Sequence, residues 1–397
     1  MTTAAAPRRK EHGARITEWA QARRLAHDLP SALPAEEVPL ASAAGRALAA
    51  PLRAGVPSPG FDNAAMDGYA VRGCGPWRVV DRVLAGHTHV SPPLAEQTAV
   101  EIATGAPVPE GTARVVPYET AERLGDTVWA SPGDRRHVRR RGEYARPGQE
   151  LLPAGTAITA PALGLAASVG LDTLTVHARP RVRMIVSGNE LVAAGLPRWG
   201  QVRDAIGPML RPLLLSWRAE LLDSRMVGDE LDWFAAAVAG SAADADVTIV
   251  CGASSVGPAD GLHHALHSLG ATVHVDGVAC RPGHPQVLAQ VGQKWIVGLP
   301  GNPYAALVAA LTLVEPLLAG LTGLPLTELE TGTLVGAPPA DERHTRIVPV
   351  RRSAQVLHLV EGGQPGQLGG AAGADAFAVV PPGWRGETPV ELLRLER

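Results

Sequence analysis

Cysteine is scarce: Cys74, Cys251 and Cys280 are the three in 397 residues, and no two form a C-x-x-C pair. That excludes a disulfide framework and a cysteine-rich zinc site, and it fits a reducing, cytoplasmic setting. Lysine is scarcer still, with only Lys10 and Lys294, and no G-x-x-x-x-G-K-[ST] phosphate loop occurs. There is no basic excess either: 36 Lys and Arg against 39 Asp and Glu leave a net charge of -3, so a nucleic-acid partner is not expected. Gly252, Ser254 and Gly257 are spaced one residue too far for a G-x-S-x-G elbow. His263, His264 and His267 share helical spacing but lack H-E-x-x-H and a third local ligand, which favours a solvated helix face over zinc. Residues 1–14 carry charge without an apolar stretch and are expected to form a disordered tail rather than a secretory signal. The longest apolar run, Tyr304 to Leu321, is interrupted by Glu315 and Pro316, so no membrane span is expected.

What is present is globular: 46% hydrophobic and 19% charged residues argue against disorder. At about 150 residues per domain the length predicts two to three domains. Residues 15–52 read as helical, with apolar positions three and four apart and prolines at the exits. Residues 53–141 change to short β-branched runs, Trp77 to Val80, Val115 to Tyr118 and Thr127 to Ala130, separated by Gly, Pro and Asp. Helical pattern returns over Thr159 to Gly170. The reading is therefore a discontinuous helical domain I (15–52 with 142–178) carrying a β-rich domain II (53–141). Residues 179–328, domain III, alternate buried runs with amphipathic segments, which implies a parallel, doubly covered α/β sheet. Residues 329–397, domain IV, return to strands in TRIVPV, QVLHLV, AFAVVPP and VELLRL and read as a small β-barrel.

Domain III ends its strands in three polar turns, in VRMIVSGNEL, in CGASSVGPAD and in GLPGNP. Parallel sheets bind ligands beyond the carboxyl ends of their strands, so all three turns are expected on one binding edge. Asn302 suits a helix cap, Pro303 the first helical position, and Gly301 close approach of a ligand, which makes this helix start a candidate anion site as well as an ordinary tight turn. In FDNAAMDGYAV, Asp62 and Asp67 occupy a small-residue loop and offer hard oxygen ligands to magnesium; an Asx-type turn explains the loop equally well. Thr104 lies in another polar turn, and Arg139 to Arg141 form a fork-bearing cationic run or a solvated face.

In order along nearly the whole chain, FDNAAMDGYAV, TGAPVPEG, RRRGE, LLPAG, RPRVRMIVSGNEL, SSVGPAD, RPGHP, GLPGNP and TRIVPV resemble the molybdopterin molybdenumtransferase family, which includes the E domain of gephyrin. The resemblance implies an elongated four-domain chain with domain I as the dimerisation element, a homodimer with active sites between subunits, and insertion of molybdate into adenylylated molybdopterin with magnesium-assisted release of AMP. By similarity Asp62 and Thr104 reach the site from the partner subunit. Glu190, Asp204 and Asp260 orient magnesium and the pterin nucleotide, and Asp67 joins Asp62, Glu190 and Asp260 as a metal ligand. Catalysis falls to Asp62, Thr104, Glu190 and Asp260. Ser255 and Gly257 contact phosphate, Gly301, Asn302 and Pro303 shape the floor, and Arg281, His284 and Arg346 complete the cofactor-binding set. The chain also departs from the family: K-P-G-K-P has become Arg281 to Pro285 with His284 in place of lysine, G-D-E has become Gly188, Asn189, Glu190, and Asp-Ser-Asn has become Asp204, Ala205, Ile206. These losses imply an alternative, a weakened or inactive pterin-binding protein or protein scaffold with a protein partner.

Overall fold

The computed structural model describes residues 16–86, 91–131, 133–252, 261–336, 338, 341–386 and 388–394. The expected tail lies outside the described residues. Two compact units emerge: one takes the chain up to Glu36 and from His177 onward, the other Glu37–Val176.

The first unit is built on a six-stranded sheet in the order Glu220–Val227, Arg181–Ser187, Val247–Cys251, Lys294–Leu299, Val287–Val291, Thr272–Asp276. The first four strands run parallel. The expected all-parallel sheet is corrected at one strand: Val287–Val291 runs antiparallel to Lys294–Leu299, because the two-residue turn at Gly292 and Gln293 leaves room only for a hairpin. Side chains alternate between two cores, as a sheet covered on both faces requires. Val182, Met184, Val186, Val247, Ile249, Trp295 and Val297 face one side with the helices Trp19–Asp28, Ile206–Ser216 and Pro303–Leu321. Ile185, Val250 and Ile296 face the other, against Leu231–Asp244 and Gly261–Ser268.

Pro303–Leu321 is long and apolar enough to cross a membrane, but 89% of its apolar window is buried inside this fold. Pro316 has no N–H to donate, and the helix widens into a π turn over Ala310–Val314 just before it. The Arg23 guanidinium donates to the Leu311 carbonyl there and lies 3.4 Å from Glu315. Trp19 Nε1 donates to Thr312 Oγ1 at 3.0 Å. Helix Trp19–Asp28 thus packs on the α/β unit, not with residues 40–52 as expected. A second correction concerns those residues: only Leu40–Ala43 is helical. Gly45, at φ 73°, ends that turn, and Ala47 and Leu48 continue as bridges to Ala157 and Val176, which bury both.

The C-terminal strands Thr345–Ser353, Val356–Leu359, Glu330–Val335, Val390–Arg394 and Ala376–Val380 pair in that order, and the last pairs back on the first. This closes the expected small barrel around Val350, Leu357, Ala378 and Leu392.

In the second unit, Leu48, Leu52, Ile158, Ala166 and Val176 form one core. A separate six-stranded sheet, in the order Arg114–Pro117, Gly68–Val71, Thr98–Ile102, Trp77–Val83, Thr127–Ala130, Ala121–Leu124, carries its own cores.

Candidate functional site

The parallel strands Arg181–Ser187, Val247–Cys251 and Lys294–Leu299 end side by side, and the residues just beyond them line a cleft of about 500 Å³. Its floor is nearly bare of side chains. Gly252 has φ 101°, and a Cβ there would lie 2.4 Å from the Ser187 carbonyl oxygen, so only glycine fits. Gly301 runs close to it, since a Cβ on Gly301 would lie 3.4 Å from Gly252 Cα, and the two glycines leave backbone open to a ligand.

The rim is polar. Asp204 Oδ1 accepts from the Ile206 and Gly207 amides at 2.9 and 3.1 Å, capping the helix Ile206–Ser216 where its dipole favours negative charge. Its Oδ2 accepts nothing from the described residues. Glu190 is exposed at the cleft wall. Burial, and then the Asp204 charge, push the Cys251 thiol well up, so it stays protonated and is no nucleophile. Arg203 is the one cation among the described residues lining the cleft.

One residue that braces this rim from behind escaped the sequence reading. Asp229 accepts from Ser187 Oγ at 2.8 Å and from the Asn189 amide at 3.2 Å, and its own amide donates to Asn189 Oδ1 at 3.3 Å. It fixes the Gly188–Glu190 turn from the neighbouring strand end. The signal was available: Glu220–Val227 is a fourth parallel strand, and its exit is Gly228–Asp229. Like the exit at Gly188, it carries a single glycine followed by polar residues, here Asp229 and Glu230.

The cleft brings together Glu190, Asp204, Gly301, Asn302 and Pro303. Ser255, Gly257 and Asp260 lie outside the described residues. Arg281, His284 and Arg346 do not line the cleft, although Pro285 of the same loop does. Arg281 and Arg346 are register partners, and Arg281 Nε lies 3.7 Å from Asp341. The His284 Nδ1–H donates to the Val278 carbonyl at 2.8 Å, and its ring meets His344 edge to face, 6.2 Å between centroids. Asp341 accepts from the Arg343 amide and from the His344 amide and ring, all at 3.0 Å. The Arg343 amide first, then the His344 bonds and charge, outweigh burial and hold its carboxyl down at about 2.

The helix start needs correction as an anion site. Asn302 occupies the cap position and Pro303 the first helical one, but the Asn302 side chain makes no capping bond. The Tyr304 and Ala305 amides instead donate to the Pro365 carbonyl at 3.0 and 3.2 Å. With those donors taken, the floor offers Gly252 and Gly301 rather than a free helix end.

In the other unit, Asp62 accepts from Arg140 Nη1 at 2.5 Å and from the Arg141 amide at 2.7 Å. Burial opposes ionisation, yet these bonds and the Arg140 charge hold the carboxyl below its usual range. Asp67 accepts from the Thr104 amide at 2.6 Å, so the residues of two expected motifs form one knot. Among the described residues no three His, Cys, Asp or Glu side chains gather around a metal position. The oxygen donors of Glu190 and Asp204 fit magnesium, which uses one or two carboxylates and completes its shell with waters and substrate phosphates.

Residues 17–170 match the family of MoeA N-terminal regions (domain I and II), and residues 183–320 match a probable molybdopterin binding domain. The molybdopterin molybdenumtransferase of Haemophilus influenzae is 34% identical over 308 residues, 76% of each chain. Molybdopterin molybdenumtransferase 2 of Mycobacterium tuberculosis is 36% identical over 72% of this chain and 75% of its own. The molybdopterin biosynthesis moeA protein of Pyrococcus horikoshii superposes with a TM-score of 0.82 at 19% identity, covering 96% of this chain and all of that one.

Proposed function

The chain belongs to the molybdopterin molybdenumtransferase family, and we propose that it inserts molybdenum from molybdate into adenylylated molybdopterin with magnesium-assisted release of AMP. The observation that carries this reading is the cleft itself: a glycine floor at the ends of parallel strands, flanked by Glu190 and Asp204.

Within it, Gly252 and Gly301 let the nucleotide approach the backbone. Glu190 and Asp204 Oδ2 would hold magnesium, and Asp204 is pre-oriented by the two amides it caps. A magnesium ion held there would neutralise charge on the phosphoanhydride. Asp229 keeps the Gly188–Glu190 turn in one geometry, which fixes the backbone from which Glu190 projects. Asp260, Ser255 and Gly257 belong to the same reading through the family pattern. Asp62, Asp67 and Thr104 would complete the site from a second copy of the chain, with Arg281, His284 and Arg346 drawing in molybdate.

Incubation with adenylylated molybdopterin, magnesium and molybdate tests the reaction. AMP and molybdenum cofactor must appear together, and both must require magnesium. Formation of neither, from protein that remains folded, overturns the reading and favours a pterin-binding platform.

A further inference from the structure

The segment between Glu190 and Asp204 is an ordered arm. Its two strands meet at Leu191–Val202 and Val192–Arg203, and three of these four residues line the cleft. At the tip, Arg198 and Gln201 close a turn through the Gln201 amide and the Arg198 carbonyl at 2.9 Å, and the Arg198 amide donates to Gln201 Oε1 at 3.0 Å. Arg203 Nη1 ties the tip to the stem by donating to the Gly195 carbonyl at 2.9 Å. Such a braced turn nevertheless holds Trp199 and Leu196 wholly in solvent, at 102% and 95% exposure. A large aromatic displayed this way, on a stem that forms the cleft wall, lacks the surface it is built to cover.

We propose that this arm is a ligand clamp, in which Arg203 binds a phosphate in the cleft and Trp199 closes onto the planar heteroaromatic ring attached to it. Charge supports the choice of occupant. The cleft wall carries the carboxylates Glu190 and Asp204, and Arg203 is the one cation among its described residues, so a phosphorylated ligand meets its positive partner on this arm. Gly195 and Gly200, at φ 77° and 82°, flank Leu196 and Trp199 and provide the two points where the tip bends. Trp199 and Arg203 are both binding residues. The inference deepens the proposed function and rests on the same cleft.

Titration calorimetry with magnesium present tests it, using three probes: AMP, neopterin phosphate and inorganic pyrophosphate. The variants are W199A, W199F, R203A and R203K, all at exposed positions whose folding is checked by an unchanged Tm. R203A should weaken all three probes about tenfold, with R203K intermediate, because a lysine keeps charge but loses the fork. W199A should weaken about tenfold whichever ring-bearing probe stacks on it and leave pyrophosphate unchanged, and W199F should recover most of the loss. The ring that responds identifies the moiety under the clamp. Wild-type affinity of both alanine variants for every probe overturns the clamp while the nucleotide reading stands. If the wild-type protein binds none of the probes, the reading of the cleft fails and the clamp with it.

Discussion

A single methyl group separates the two kinds of glycine in this chain. Gly252 and Gly148 both have positive φ, but a Cβ on Gly148 meets nothing within 4 Å, whereas one on Gly252 runs into the Ser187 carbonyl. Gly148→Ala therefore carries backbone strain alone, about 1 kcal/mol, and Gly252→Ala carries strain plus a clash, about 3 kcal/mol, with the cleft floor displaced. Denaturant unfolding checks the stability difference, and AMP titration checks that only the second substitution removes binding. Charge at Asp341 makes a separate prediction. Its folded carboxyl titrates at about 2, below the ordinary value, so its stabilising effect is complete above about pH 4 and is lost as the pH falls toward 2. Asp341→Asn should flatten that part of the acid-unfolding curve and leave the neutral range parallel to wild type.

Elements were legible where their periodicity was local. The strands Thr127–Ala130 and Val247–Cys251 and the helix Ala160–Ser168 follow from β-branched runs and from the helical pattern over Thr159 to Gly170. The strand-end turns were legible because Gly and Pro mark them. What the sequence could not show was set by partners distant in the chain. The Ala-rich stretch after Gly45 has helical composition, yet bridges to Ala157 and Val176 draw it into extended form. Likewise Pro365, more than sixty residues away, takes the amides that would have made Asn302 and Pro303 an anion site. Helix Trp19–Asp28 is the same case on a larger scale, since its amphipathic face does not say which surface it covers. Its anchor is the buried Trp19 against Thr312. Trp19→Ala should cost about 3–5 kcal/mol, read as a lowered denaturant midpoint. Trp19→Phe should cost less, because it keeps one aromatic ring in the pocket while losing the hydrogen bond and the rest of the indole volume.

The whole molecule distributes its expected chemistry over two units, with Glu190 and Asp204 in one and the Asp62, Asp67 and Thr104 knot in the other. If the active site is completed by a second copy, inactive variants with lesions in different units must complement each other. Co-refolding equal amounts of Asp62→Ala and Glu190→Gln should return about a quarter of wild-type AMP release, because half the dimers are mixed and each of those holds one intact site. No recovery would place all five side chains in the site of one chain. A crystal structure of the protein with AMP and magnesium decides whether the glycine floor holds the nucleotide. The phosphate should lie against Gly252 and Gly301, with magnesium between it and Glu190; AMP seated elsewhere, with that glycine floor untouched, would refute the assignment of the cleft.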